Sequence, residues 1–189
     1  MHLIYFQELN GLLLLITYLV DESYFLKPHK RFLLSIPLIY EQGRPMQTYL
    51  LHHPTTEQLD QLMTIWLHGN LKAHPFIKAD YWRKQAPAVR TALPQAQLII
   101  ATTAEKIVGF IGLQGHYVAG IFVQAGAQQQ GVGTALLAAA KELTHKLQLS
   151  VYVANRPAVA FYHHSGFHVH EQQIDKATNQ PEYTMRWHR

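Results

Sequence analysis

The sequence contains no cysteine among its 189 residues. This absence excludes disulfide bonds, thiolate metal sites and a cysteine nucleophile. A chain without disulfides is typical of a reducing compartment, so we expect a cytoplasmic protein. Charged residues are also scarce at 15%, against roughly 25% in an average globular protein, but a hydrophobic content of 48% argues against disorder. The sequence therefore predicts one folded domain, because its length is too short for two ordinary ones.

The chain also lacks a hydrophobic run long enough for a membrane helix. Its most apolar run, Gly11–Val20, is about half of the roughly 20 residues that a membrane span requires. Neither Lys nor Arg precedes this run, Glu8 does, and no small-residue cleavage site follows, which is a poor fit to a signal peptide. We therefore expect no association with a membrane.

Positive charge is in modest excess, with 16 Lys and Arg against 12 Asp and Glu. A net charge of +4 suits an anionic partner without identifying one. The basic residues are scattered, and Lys27, Lys30 and Arg31 form the only tight group. A protein that follows a nucleic-acid backbone needs a basic stripe, so we expect no nucleic-acid partner.

The thirteen histidines raise the question of a metal site. The side chains of adjacent histidines, as in His52–His53 and His163–His164, diverge on either a helix or a strand. His168 and His170 have no evident third ligand nearby. We therefore expect no metal. The clusters are His52–His53, His163–His164, and His168 with His170.

Residues 1–45 differ from the rest of the chain. They carry four basic and four acidic residues, so the whole net charge lies downstream, and the regular pattern begins at Met46, itself a possible start. We expect residues 1–45 to be a dispensable N-terminal extension and residues 46–189 to form the domain.

Two helices are expected in the first half of this domain. Thr55 and Gln58 fit a capping box, and Gly69 can close the helix that follows. Pro75 suits the first position of a second helix that runs to about Ala86. The first helix presents an apolar face at helical spacing, formed by Leu59, Leu62, Met63, Trp66 and Leu67.

Strand patterns dominate the second half, where two further helices are expected over Gly131–Leu147 and Pro157–Ser165. Three strands in succession after residue 96 predict an antiparallel meander. The whole is mixed α/β, of the α+β kind, with a mostly antiparallel sheet. The predicted strands are Gln47–His52, Gln97–Thr102, Lys106–Leu113, Tyr117–Val123, Leu149–Val153, His168–Asp175 and Glu182–His188.

The sharpest local motif is a glycine-containing loop between a strand and a helix. Gly131 and Gly133 let the backbone approach a ligand while the N–H groups of the first helical turn remain free. With the helix dipole, these groups favour a pyrophosphate, although glycines also occur at ordinary tight turns. The loop lacks the Gly-Lys-Ser/Thr ending of a P-loop and the third glycine of a dinucleotide fingerprint. The predicted pyrophosphate-binding residues are Gln128, Gln129, Gln130, Gly131, Val132, Gly133 and Thr134.

Together with a second segment, this loop resembles the GNAT superfamily of N-acetyltransferases. Gln128, Gly131 and Gly133 match the family's Gln/Arg-x-x-Gly-x-Gly/Ala loop. The second segment follows in the right order, about two dozen residues later, which makes the pair far more specific than either part. Its matching residues are Asn155, Ala158, Phe161, Tyr162, Gly166 and Phe167.

The resemblance extends to small bacterial members of the YiaC type, described as peptidyl-lysine N-acetyltransferases. Their N-terminal half has a stretch like His74–Trp82, and their tail resembles Glu182–Trp187. The likeness covers about residues 47–188 and leaves residues 1–45 unmatched.

The GNAT resemblance implies a fold and a cofactor site. The fold has helices on both faces of the central sheet and a splayed strand pair that holds acetyl-CoA, the only cofactor we expect. Carried onto this chain, the backbone of Ile121, Phe122 and Val123 would bind the pantetheine, and Asn155 would lie beside it. Asn155 also fits an ordinary helix cap, which remains an alternative.

The resemblance further implies that Tyr162 is the general acid for the departing thiolate, with packing beside Phe161 as the alternative. A lysine ammonium with a pKa of about 10.4 must lose a proton before it attacks, yet Tyr117–Val123 contains no carboxylate base. His116 is the remaining candidate, although a lone loop histidine is commonly only solvated.

The expected reaction is direct acetyl transfer to a primary amine in a ternary complex. The acceptor is a protein lysine, a protein N-terminus or a small amine, and the protein is a monomer or a homodimer. The alternative is a non-catalytic acyl-CoA-binding module, favoured by the missing carboxylate. We expect the acceptor side to be walled by His74, Phe76, Tyr81 and Trp82, with core packing as the alternative for Tyr81 and Trp82.

Overall fold

A computed structural model describes residues 34–39, 45–104 and 106–189. These residues form eight strands and four α-helices. In chain order the elements are β1 (Leu34–Ile39), β2 (Pro45–Leu51), α1 (Thr56–Ala73), α2 (Ala79–Ala92), β3 (Gln97–Thr103), β4 (Lys106–Gln114), β5 (Tyr117–Val123), α3 (Val132–Glu142), β6 (Lys146–Tyr152), α4 (Arg156–His164), β7 (His168–Asp175) and β8 (Gln180–His188).

The eight strands form one sheet in the order β1-β2-β3-β4-β5-β6-β8-β7. Every neighbouring pair is antiparallel except β5 and β6, which are parallel and share only the Tyr117–Gln148 pair. The predicted meander is therefore confirmed as β3, β4 and β5. The predicted fold class, a mostly antiparallel sheet with a splayed strand pair, is also confirmed.

Helices cover both faces of the sheet and create two cores. On one face α1 and α2 contribute Trp66 and Trp82, which pack over Phe110 of β4. On the other face α3 and α4 contribute Leu136 and Tyr162. Strands β3 and β4 are buried along nearly their whole length because helices lie on both sides of them, whereas β7 is exposed except at its last residue.

The capping box at the start of α1 is confirmed. The Thr55 hydroxyl accepts a hydrogen bond from the backbone N–H of Gln58, whose side chain accepts one from the Thr55 N–H. The expectation that Gly69 ends this helix is wrong, since α1 continues to Ala73. A Cβ at Gly69 would lie 3.1 Å from the Phe122 ring, so this glycine serves close packing rather than termination.

The expected start of the second helix at Pro75 is also wrong. Pro75 follows His74, the C-cap of α1, a place where proline is common because it cannot continue a helix. Helix α2 begins at Ala79, contains Pro87 in its interior, and extends to Ala92 rather than Ala86.

The third helix is shorter than expected. It ends at Glu142, and Leu147 belongs to β6 instead. A spacing of four between Leu143 and Leu147 fits a helix, but Leu147 also continues the alternating buried positions Leu149 and Val151 of a strand. The other predicted helix and strand boundaries agree with the structure to within three residues.

Of the N-terminal extension, the structure describes only β1 and Pro45, and β1 pairs with β2 at the edge of the sheet. The run Gly11–Val20 and the basic group near Lys30 lie outside the described residues. That residues 1–45 are dispensable remains a prediction. No helix in the described part of the chain is both long and apolar enough to cross a membrane.

Candidate active site

A gap between β5 and β6 lies at the centre of the sheet. The two strands are joined at Tyr117 and Gln148, where the Gln148 N–H also donates to the carbonyl of His116 at 2.9 Å. No further pair joins them in the described residues, so the backbone of β5 from Val118 to Val123 presents an open edge. This open edge offers strand-like hydrogen bonds to an extended ligand.

A β-bulge reshapes the β5 side of this gap. Gly112 of β4 pairs with Gly120 and the next residue, Leu113, pairs with Val118, which leaves Ala119 as the extra residue. Bulges re-aim neighbouring groups and increase local twist. The bulge therefore occurs in the strand that lines the gap, next to its closed end.

The glycine-containing loop leads from the open end of β5 into α3. Gly131 is the N-cap of α3 in the left-handed conformation, with φ of 81°, and no side chain caps the helix. The first intrahelical bond of α3 is donated by Ala135 to the Gly131 carbonyl, so the N–H groups of Val132, Gly133 and Thr134 have no helical acceptor. With no acidic residue in the first turn, this helix end is a candidate anion site.

Gln129 adds a second left-handed residue to the loop, with φ of 62°. Left-handed residues close together in a turn bring successive N–H groups to one concave side. Gln130 donates from Nε2 to the Gly126 carbonyl at 3.0 Å, which braces the loop from within. The seven predicted pyrophosphate-binding residues therefore span the loop that follows β5 and the first turn of α3.

Lys72 is a cation beside this loop that the sequence analysis missed. Its Nζ donates to Gln128 Oε1 at 3.0 Å, and Gln128 Nε2 donates to the Val123 carbonyl at 3.2 Å. Lys72 belongs to the last turn of α1, 56 residues before Gln128, and nothing in the sequence distinguishes it from other exposed lysines. It adds positive charge next to the anion site.

Asn155 is the N-cap of α4 and also contacts His74, the C-cap of α1. Its Oδ1 accepts from the Ala158 N–H at 3.3 Å, which confirms the capping alternative, and its Nδ2 lies 3.2 Å from His74 Nε2. Burial lowers the pKa of His74 to about 4, although the Asn70 backbone acts in the opposite direction. His74 is therefore neutral near pH 7.

The other predicted acceptor-side residues surround His74. Phe76 and Tyr152 meet its ring edge-on, and Trp82 stacks on it at 5.2 Å. Trp82 is fully buried, so it belongs to the core, whereas Tyr81 is half-buried and contacts Trp82 edge-on. The structure thus brings the four predicted residues together. Trp82 is fully buried, whereas His74, Phe76 and Tyr81 are partly exposed.

Tyr162 lies on α4 and is buried. Its ring packs against Phe161 and Phe167, at 5.2 and 5.6 Å between centroids. Burial raises the pKa of the Tyr162 phenol far above its usual value, and neighbouring Tyr117 adds to the shift. The phenol is therefore protonated near pH 7.

His116, the predicted base, lies in the exposed turn before β5. Gly115, with φ of 58°, makes this turn. The carbonyl of His116 holds the closed end of the gap through Gln148. The His116 imidazole is exposed in this turn, whereas Tyr162 is buried in the core that α3 and α4 cover.

Two buried acidic residues, on β7 and β8, were not singled out from the sequence. Asp175 is buried and accepts hydrogen bonds from the hydroxyls of Tyr152 and Thr178, both at 2.7 Å. Glu182 is 6% exposed, and its Oε1 accepts from Gln173 Nε2 at 2.7 Å. Burial raises the pKa of Glu182, and the charge of Asp175 adds to this effect. In the sequence both resemble ordinary polar residues of C-terminal strands.

No three His, Asp or Glu side chains within residues 34–39, 45–104 and 106–189 are arranged to hold a metal ion. The candidate site consists of the gap between β5 and β6, the loop of residues 128–134, which we call the anion loop, and Tyr162.

Comparison with known proteins agrees with this architecture. The acetyltransferase (GNAT) domain family matches residues 66–186. The peptidyl-lysine N-acetyltransferase YiaC of Escherichia coli (strain K12) is 34% identical over 140 residues, which cover 73% of this chain and 96% of the relative. The peptidyl-lysine N-acetyltransferase YjaB of the same organism is 32% identical over 114 residues, covering 60% and 78% of the two chains.

Solved structures show the same fold. The solution structure of apo-form YjaB from Escherichia coli has a TM-score of 0.66 at 27% identity and covers 75% of this chain and 97% of its own. An aminoglycoside 6'-N-acetyltransferase complexed with coenzyme A has a TM-score of 0.58 at 12% identity, covering 75% and 96%. The chain belongs to the GNAT family of acetyltransferases and is an N-acetyltransferase.

Proposed function

We propose that this chain transfers the acetyl group of acetyl-CoA to the side-chain amine of a lysine in a protein or peptide. The observation that carries the proposal is the β5–β6 gap, which is followed at its open end by the anion loop. The similarity to YiaC and YjaB, which are peptidyl-lysine N-acetyltransferases, supports a peptidyl lysine over a small amine.

The residues around the gap fit a coenzyme A thioester. Free N–H groups at the start of α3, together with the Lys72 ammonium, suit a pyrophosphate. The open backbone edge at Ile121 and Val123 suits the amide groups of a pantetheine arm. Phe122 contributes through its backbone, because its ring stacks on Phe110 in the α1 and α2 core. When bound, the thioester supplies an activated acetyl group.

Asn155 and Gly133 shape the path of the arm. Asn155 is held at the start of α4 by its own capping bond and by His74. A Cβ at Gly133 would lie 3.5 Å from Phe161 and 3.9 Å from Val123, so this residue is where α3, α4 and β5 meet. We propose that Asn155 lies beside the pantetheine and that this junction fixes the depth to which the arm enters.

The chain's own groups then do two things in the reaction. They hold amine and thioester together, which removes most of the entropic cost of a bimolecular step. Tyr162 donates the phenolic proton to sulfur as the C–S bond breaks. Its raised pKa keeps this proton in place until a thiolate develops beside it.

The acceptor approaches from the face that carries α1 and α2. His74 is neutral and so does not repel an ammonium, while the rings of Phe76 and Tyr81 offer apolar and cation-binding surface. A lysine side chain, with a long apolar stem and a charged tip, suits such walls.

Acetyl transfer is tested with the full chain, acetyl-CoA and four acceptors. These are a peptide with a blocked N-terminus and one lysine, its lysine-to-arginine counterpart, a peptide with a free N-terminus and no lysine, and a polyamine. We expect release of CoA thiol with the first peptide and, by mass spectrometry, an acetyl group on its lysine. Preference for the free N-terminus or the polyamine would replace the proposed acceptor. No thiol release with any acceptor would contradict the proposal in favour of an acyl-CoA-binding module.

A further inference from the structure

We infer that Glu182 is the general base that takes the proton from the acceptor ammonium. This inference rests on the proposed function and supplies the carboxylate that β5 lacks. It gives a catalytic role to a strand, β8, that does not border the gap.

The strand register places Glu182 on the acceptor face. Glu182 pairs directly with Tyr152 of β6, and directly opposed residues of an antiparallel pair point to the same side of the sheet. Tyr152 contacts His74 and Phe76, so that side is the one covered by α1 and α2. The Glu182 carboxyl therefore shares its face with the proposed walls of the acceptor site.

Tyr117 connects Glu182 to the reacting centre. It begins β5 at the closed end of the gap and interacts with Ser150 of β6 across it. The charge of Glu182 acts on the Tyr117 phenol, and Tyr117 in turn acts on the Tyr162 phenol. Tyr117 thus interacts electrostatically with both the proposed acid and Glu182.

The two buried carboxyls have different local roles. Asp175 is satisfied by Tyr152, Thr178 and the Ala177 N–H, so it organises the turn between β7 and β8. Among the residues that the structure describes, Glu182 receives one hydrogen bond, on Oε1, and no cation shifts its pKa. A buried carboxyl without a positive partner is costly unless one arrives. The ammonium of the acceptor is such a partner.

The proposed step conserves protons and electron pairs. The ammonium gives one proton to the Glu182 carboxylate, and the freed nitrogen lone pair forms the C–N bond at the thioester carbonyl carbon. The C–S bond then breaks with its electron pair on sulfur, which takes the proton of Tyr162. The second proton of the nitrogen restores Tyr162, and the proton on Glu182 passes to water, so one proton is released per acetyl group transferred.

A pH profile reports on this assignment. The titratable groups around Glu182 in the described residues are Asp175 on β7, Tyr152, its register partner on β6, and Tyr117 on β5, and of these the charge of Asp175 raises the Glu182 pKa. The raised pKa brings the carboxyl closer to neutral pH, where a base is most effective. Activity of the wild type should fall as pH drops through this pKa, because the protonated carboxyl accepts no proton.

The test uses Glu182→Gln, which is isosteric and can keep a hydrogen bond to Gln173. The matched control is Glu171→Gln, an exposed glutamate on the neighbouring strand β7. With the lysine peptide at pH 7, we expect kcat/KM of Glu182→Gln to fall about 10²-fold or more while acetyl-CoA affinity stays within about threefold. Its kcat/KM should rise about tenfold per pH unit toward the lysine pKa near 10.4, since only free amine reacts.

A weakly basic amine that is already neutral at pH 7 needs no base, and it should react with Glu182→Gln and wild type at similar rates. Equal activity of Glu182→Gln and wild type with the lysine peptide would overturn the assignment. So would a parallel loss with both amines or a loss of acetyl-CoA affinity, which would make Glu182 structural. No thiol release by the wild type would overturn the proposed function as well, so the two failures are distinguishable.

Discussion

His74 Nε2 lies 3.2 Å from Asn155 Nδ2, and this contact joins the C-cap of α1 to the N-cap of α4. The Ala158 N–H donates to Asn155 Oδ1, so the amide presents its NH₂ group to the imidazole. Nε2 must then accept, which a protonated imidazole cannot do. The acceptor-side loop and the helix that carries Tyr162 are therefore joined through a neutral histidine.

This histidine should make stability depend on pH. Its pKa is about 4 in the folded chain and near 6.5 in the unfolded chain, so the unfolded state binds the proton first as pH falls. Above pH 6.5 neither state is protonated and the term vanishes. Between pH 6.5 and 4 we expect the free energy of unfolding to fall by about 3 kcal/mol from this residue.

Urea unfolding at several pH values measures this effect. His74→Phe keeps an aromatic ring against Trp82 but cannot titrate, so its stability should change less over that interval than the stability of the wild type. His163→Gln removes an exposed histidine of α4 and should follow the wild type. Identical pH dependence in wild type and His74→Phe would show that His74 is not held neutral.

Lys72 should contribute to cofactor affinity through the pyrophosphate. Lys72→Gln removes the charge but keeps a hydrogen-bond donor, and we expect acetyl-CoA to bind about three- to tenfold more weakly at low salt, with the difference shrinking as salt screens the charge. Calorimetry with an acetylated pantetheine, which has no pyrophosphate, should show no difference. Lys84→Gln, an exposed change on α2, is the control. Equal loss for both ligands would rule out the charge mechanism.

The sequence predicted the elements whose local pattern is unambiguous. Thr55 with Gln58 marked the start of α1, and Gly131 marked the start of α3, because caps and left-handed residues depend on only a few neighbours. The sequence misplaced the end of α1 because Gly69 serves close packing against Phe122, which is 53 residues away in the chain. The sequence also misplaced the start of α2, because a proline such as Pro75 suits both the first position of a helix and the residue after a helix end.

The candidate site likewise has parts that local sequence patterns predict and parts that depend on residues distant in the chain. Its cofactor side follows from a contiguous loop and a contiguous helix, so motifs predicted it. Lys72 and Glu182 reach the site through a helix end and a strand register, and nothing local marks either one. The sequence showed that β5 has no carboxylate base, but the proposal of Glu182 required the strand order β6-β8-β7, which only the structure provides.

The anion loop is tested most cleanly at Gly133. Gly131 is left-handed, so any side chain there strains the backbone, whereas a Cβ at Gly133 meets only ordinary contacts. Aspartate near a helix N-terminus also stabilises the helix, so Gly133→Asp should fold. We expect its affinity for acetyl-CoA to fall at least tenfold, about 1.4 kcal/mol, by repulsion of the pyrophosphate.

Gly133→Asn has the same shape without the charge, so the difference between the two variants in calorimetry isolates electrostatics. We expect Asn to bind more tightly than Asp. Unchanged affinity in a folded Gly133→Asp protein would remove the pyrophosphate from this loop.

The role of Tyr162 can be separated from its packing. Tyr162→Phe keeps the ring against Phe161 and Phe167, and no described residue loses a hydrogen bond, so the free energy of unfolding should change little. A thiolate with a pKa near 8.5 leaves without much help, which limits the benefit of a proton donor. We therefore expect kcat to fall roughly 10²-fold, at the low end for general acid catalysis, with acetyl-CoA affinity changed by less than about threefold.

Tyr183→Phe removes a hydroxyl elsewhere in the core on the same face of the sheet and serves as the control for stability and rate. The phenol of Tyr162 titrates far above its usual range, so the wild-type rate should show no loss from its ionisation between pH 7 and about 10. If Tyr162→Phe loses cofactor binding together with turnover, the residue is structural. If turnover stays near that of the wild type, the thiolate leaves unaided or takes its proton from another donor, and Tyr117, which interacts electrostatically with Tyr162, is then the residue to replace.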